Sequence, residues 1–219
     1  MTKKDLNQIV LNIEFLLISV VQGVALAALA TSAAGPIGSL QIEYWLYIVA
    51  AFLFILTFWS GAIIHALSFI DWPLDLKHSF FYFLASFVEV VAFSEMTIPL
   101  KWFGMITVFF IVAGILYIVD LNLIKQHKKE FEESTSGKQL YGHILHQQTY
   151  EMNVLVPAGL IYNIVATALI YLYPEIFITN HYHIVLVFLQ VLFGLLILKN
   201  SITSFKRRSE LITNSLSNT

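Results

Sequence analysis

The sequence predicts an all-α, polytopic membrane protein with six transmembrane helices and both termini in the cytoplasm. Three observations predict it: an excess of apolar over charged residues, six apolar stretches separated by turn-forming residues, and a one-sided distribution of Lys and Arg.

Of the 219 residues, 58% are hydrophobic and 12% charged, and the mean hydropathy is +0.77. Soluble domains run near 45–50% apolar and about 25% charged. A chain of this length cannot hide the excess in one aqueous core, so hydrocarbon is the solvent for much of it. The chain has no Cys, which excludes disulfides, thiolate metal sites and thiol nucleophiles. Its net charge of −2 gives no footing for nucleic acid.

A helix rises about 1.5 Å per residue, so a hydrocarbon layer of about 30 Å takes about 20 apolar residues. The first span is expected at 9–34, a run rich in small residues that stops at Gly35-Pro36. The second, 44–70, opens on aromatics and stops at Asp71-Trp72-Pro73. The third, 80–96, ends before Ile98-Pro99, and the fourth, 102–124, ends where Lys125 opens a charged stretch. The fifth covers 152–173 and stops at Pro174; the sixth covers 184–198. Proline lacks the amide proton and restricts the residue before it, so these points favour helix ends.

Orientation follows from the cations. Lys3, Lys4, Lys77, Lys125, Lys128, Lys129, Lys138, Lys199, Lys206, Arg207 and Arg208 fall on one side of a six-span arrangement, and Lys101 alone falls on the other. That is the positive-inside pattern, and five or seven spans would split it. The expected organisation is a transmembrane domain over 1–205, with a cytoplasmic loop at about 125–150, and a polar, disordered tail over 206–219. The loop mixes both charge signs around a break at Ser134–Gly137, between two short helices. A bacterial-type inner or plasma membrane is the expected location. A cleaved leader is disfavoured, because the first apolar run is too long for one and carries Glu14 and Gln22.

Function is sought where polarity is costly. An ionisable group at the bilayer centre costs several kcal/mol and usually faces protein or water. Glu14, Asp120 and Glu151 lie near the inner ends of their spans, and Glu43 and Glu95 near the outer ends; they read as interfacial groups. Glu89 falls in the middle of the third span, with Gln22, Asn163 and Gln190 at similar depth. Two readings account for these four: an interhelical hydrogen-bond lock, or a midplane ion or proton site with Glu89 as its charge. Ser19, Gln22 and Gly23 lie on a small-residue stretch of the first span, which suits either a pore-lining helix or close helix packing.

The histidines argue mostly against specific chemistry. Only His65 lies within a span, so paired axial ligands for haem are missing and no cofactor is expected. His143, His146 and Glu151 are a weak metal candidate beside the plainer reading of a solvated amphipathic loop. His181 and His183 read as outer-loop residues that could respond to external pH.

Three stretches carry a family likeness: Ser19-Val20-Val21-Gln22-Gly23-Val24-Ala25, then Phe58-Trp59 with His65, then the acidic 71–78 segment ending in His78. Their layout resembles the six-helix potassium channels marked by an FSD motif in helix one, although Gln22 stands in place of the motif's acid. The resemblance implies a homo-oligomer whose first helices line a pore, with Trp59, His65, Asp71 and His78 as a supporting network. On that reading the chain conducts monovalent cations, Ser19 and Gln22 offer polar contacts, and Leu26 forms an apolar gate. A second reading is a proton-coupled carrier, with Glu89 as the proton site and Gln22, Asn163 and Gln190 forming a pocket. A third is a membrane-embedded enzyme or scaffold that uses the His143–Glu151 face or the basic tail.

Overall fold

The computed structural model describes residues 3–68, 76–131 and 135–216, and every element in them is helical. In chain order they are α1 (Lys3–Gly38), α2 (Trp45–Ser68), α3 (Leu76–Ser94), α4 (Pro99–Gln126), the short α5 (Lys128–Phe131), α6 (Thr135–Tyr150), α7 (Val156–Leu172) and α8 (His183–Leu216). A π-helical turn, Glu151–Leu155, joins α6 to α7 without a break, and a second, Glu175–Thr179, lies between α7 and α8.

The described part of each of the six expected spans is mainly helical, but the described residues hold five helices long and apolar enough to cross a membrane. These are α1, α2, α4, the α6–α7 unit and α8. The exception is α3, which carries Lys77, His78 and Glu89 and packs between α1 and α4. The outer surface is apolar: Leu16, Phe87, Ile161 and Leu196 are each more than 60% exposed. Aqueous proteins rarely show a continuous apolar surface on this scale, so the protein is membrane-embedded.

Most helix ends follow the turn chemistry. Pro99 opens α4, where its missing amide proton is not needed, and Tyr173-Pro174 stops α7 after Leu172. Pro36 does not stop α1, which runs on to Gly38. A proline near the end of a helix forfeits one hydrogen bond, and the reversal comes at Leu40, whose φ of 53° is left-handed.

The core is layered around α4, which packs against both α3 and α7, while α2 packs against α8 and α1 against α2 and α3. Its centre is aromatic: Trp102 meets Tyr47 and Phe54 edge-on and stacks on Phe93. Gly159 lets α7 pack closely on α4. A methyl group there would stand 2.3 Å from the Phe110 ring.

Two expectations about the polar segments are corrected. Residues 135–150 are not a solvated loop: Ile144, Gln147 and Gln148 are buried, and α6 packs against α8 and α4. Residues 206–216 are not a disordered tail but the end of α8, where Ser201, Ser204, Arg208 and Leu211 form one buried stripe. Polarity alone does not separate a tail from an amphipathic helix; the helical period of these four does.

Candidate functional site

Three helix ends converge where the Lys- and Arg-rich segments lie, the basic end of the bundle. His65 sits in the last turn of α2, His78 in the first turn of α3 and Asp120 near the end of α4. Antiparallel neighbours bring such ends together, and one carboxylate meets both imidazoles. His78 Nδ1 lies 2.6 Å from Asp120 Oδ1, and His65 Nδ1 lies 3.7 Å from Asp120 Oδ2. The two rings stack with centroids 4.4 Å apart and planes 4° apart. Asp120 is buried, so near that end of α4 it faces its neighbours in the bundle and not the surface.

These three residues line a cavity of about 130 Å³. Its ceiling is aromatic, made by Phe54, Phe58, Phe109 and Phe110, and its opposite wall is polar. That wall comes from α4, α6, the first π-turn and α8: Tyr117, Gln148, Glu151, Ser204 and Arg208. Glu151 opens the π-turn, a wider turn that recurs at functional sites. It accepts from Gln147 Nε2 at 2.6 Å, with Tyr117 and Arg208 near enough to act on its charge. Gln148 Nε2 donates to the Tyr117 carbonyl at 3.3 Å. A smaller cavity of about 40 Å³ lies against His65 and His78 and is lined by Glu14 and Tyr82.

From this end a polar stripe climbs α3. His78, Tyr82, Ser86 and Glu89 share one face of the helix, as their spacing requires. Tyr82 stacks on Phe58, lies parallel to His78 with centroids 6.4 Å apart, and accepts from Gln22 Nε2 at 3.2 Å. Glu89 ends the stripe at 1% exposure, and neither of its carboxyl oxygens has a hydrogen-bond partner among the described residues. The Gln22 amide stands near enough to act on it but outside hydrogen-bonding geometry.

The four midplane groups therefore divide. Gln22 belongs with Glu89. Asn163 and Gln190 belong to a hydrogen-bonded chain: Trp102 Nε1 donates to Gln190 Oε1 at 2.8 Å, Gln190 Nε2 to Asn163 Oδ1 at 2.9 Å, and Asn163 Nδ2 to the Gly159 carbonyl at 2.7 Å. That chain ties α4, α7 and α8 together, and each of its polar atoms has a partner inside the protein.

The pore residues do not share a surface in the single chain. Ser19 and Leu26 face outward, while Gln22 turns inward to Tyr82. Of the supporting network, His65 and His78 meet, Trp59 faces outward, and Asp71 lies outside the described residues. The carboxylate between the histidines is Asp120. His143, His146 and Glu151 do not converge: among the described residues, the one group with metal-ligand atoms within 4.8 Å of one another is His65, His78 and Asp120. The five steps from His146 to Glu151 rotate a helix by a net of about 140°. His143 instead meets Ser204, at 3.2 Å.

At the far end, His183 is buried with its Nδ1 3.0 Å from the Tyr47 hydroxyl, which corrects its reading as an exposed loop residue. His181 stays exposed and pairs with Glu43 at 3.1 Å.

Tyr117, Asp120 and Arg208 were not legible as site residues, because nothing local links them. The α3 stripe was legible in principle, since His78, Tyr82 and Glu89 recur at helical spacing. Comparison with family models, curated proteins and solved structures returns no match for this chain.

Proposed function

We propose that the chain is a six-span transport protein with cytoplasmic termini, working at the cell membrane as a proton-coupled carrier of a small solute. The α3 stripe carries the reading. It leads from a water-accessible cavity to Glu89, a buried carboxyl group with no hydrogen-bond partner among the described residues. An ionised carboxylate without a partner costs far more in such surroundings than a protonated one. Glu89 then ionises only when a rearrangement brings it water or a counter-charge, which is the coupling a carrier needs. The one-sided cation distribution orients the cavity towards the cytoplasm, with the aromatic ceiling as the inner gate.

The absence of Cys offers a clean test. A single cysteine at Ala113, on the cavity wall, is labelled in proteoliposomes across a range of pH. Labelling that shifts with pH in the parent and stays flat in Glu89→Gln supports the carrier. The same pH profile in both sinks it.

The channel reading has one observation in its favour. The outward face of α1 carries Ser19, Gly23 and Ala27, and no atom of another element would touch a methyl added at Gly23. In a homo-oligomer that face would line a pore for monovalent cations, as the resemblance to the FSD-motif potassium channels implies. Potassium flux that Glu89→Gln leaves unchanged and Leu26→Trp blocks would favour it over the carrier.

A further inference from the structure

We propose that His65, His78 and Asp120 form a binding site for a divalent transition-metal ion at the floor of the large cavity. Three different helices deliver the ligands, so the site is a product of the fold and not of a local motif. Two imidazole nitrogens and one carboxylate oxygen form a donor set suited to borderline ions such as Zn²⁺. Bonds of about 2.0–2.1 Å place the ligand atoms of a tetrahedral ion about 3.4 Å apart. The two histidine nitrogens reach different oxygens of Asp120, at 2.6 and 3.7 Å, and one ligand atom from each residue lies within 4.8 Å of the other two. Adjusting the ligand atoms to the tetrahedral spacing, with loss of the proton between His78 and Asp120, would seat an ion where these two now meet.

The surroundings suit a cation with open coordination positions. The cavity is roomy enough for several water molecules on the exposed side of the ligands. Asp120 supplies one negative charge directly. Glu14 acts on His78 from α1, and Glu151 stands near Arg208 on the polar wall, so the carboxylates around the cavity outnumber the guanidinium. Three protein ligands with solvent in the remaining positions is the open arrangement of ions that bind or exchange a small ligand, as against the closed four-ligand cage of structural zinc. The proposal does not rest on the carrier reading, because its test reads binding in detergent and not transport.

The experiment uses the full chain, purified in detergent and stripped with a chelator, with Zn²⁺ and Cu²⁺ as probes. Calorimetry is expected to find one Zn²⁺ site per chain, and affinity falls by roughly 10–100-fold or more in His78→Ala and in Asp120→Asn. The double variant His143→Ala/His146→Ala keeps the parent affinity. Cu²⁺ on the unaltered chain gives a paramagnetic resonance spectrum with two coupled nitrogens, a readout that needs no variant to fold. Zn²⁺ affinity that survives His78→Ala, or that falls equally with the His143/His146 pair, overturns the site. So does a copper spectrum with no nitrogen ligands.

Discussion

Gln190 Nε2 donates to Asn163 Oδ1 at 2.9 Å while Gln190 Oε1 accepts the Trp102 indole proton at 2.8 Å, so one side chain joins three helices. Replacing it with Leu leaves the indole N–H and the Asn163 oxygen buried together without partners. Stranded groups cost about 1–3 kcal/mol each, more than the average of about 0.6 kcal/mol for a single membrane hydrogen bond. Gln190→Leu is therefore expected to lower the unfolding midpoint in detergent more than Thr107→Val, which removes a hydroxyl bonded to its own helix. Equal shifts would show that the lock is dispensable.

Gly159 and Phe110 set the α7–α4 spacing. Gly159→Ala drives a methyl into the ring and is expected to cost about 1–3 kcal/mol. Phe110→Leu makes room, so the double variant should recover part of that loss in the same thermal assay. A loss that Phe110→Leu leaves unrelieved would place the strain elsewhere.

Glu89→Gln is expected to leave thermal stability unchanged or raised, since it removes a buried ionisable group that has no partner in hydrogen-bonding geometry. A fall of several degrees would reveal a stabilising contact to the carboxyl group.

Truncation after residue 205 removes the buried Arg208 and Leu211 from α8, the helix that packs on α6. Amide exchange in α6 should then rise while exchange in α4 near Trp102 stays slow. A disordered tail would leave both unchanged.

Tyr47→Phe takes the hydroxyl from buried His183, and a loss of about 1 kcal/mol is expected from thermal unfolding. Phe at Tyr44, which stacks on the same imidazole, should cost less.

How far the site was legible depends on how far its signals were local. His65 drew attention as the histidine within a span, His78 only through the family resemblance, and Glu89 because a carboxylate at mid-span is costly. Asp120 read as interfacial, since depth along a helix says nothing about which way the side chain faces. Asn163, Gln190 and Gln22 read as one layer, because equal depth was all the sequence offered; packing then paired the first two and sent the third to Tyr82. The 206–216 segment read as a tail from its polarity, whereas its buried stripe needed α6 alongside to have meaning.

By itself, the sequence determined the medium and the positions of the apolar helices, because hydropathy and proline punctuation are sums over neighbouring residues. Only the tertiary structure decided the rotation of each helix about its axis, and with it that Asp120 meets His65 and His78 while Ser19 and Leu26 face away. Rotation is fixed by contacts between residues distant in the chain, chiefly the aromatic packing around Trp102 and the close approach at Gly159, and no local pattern encodes those.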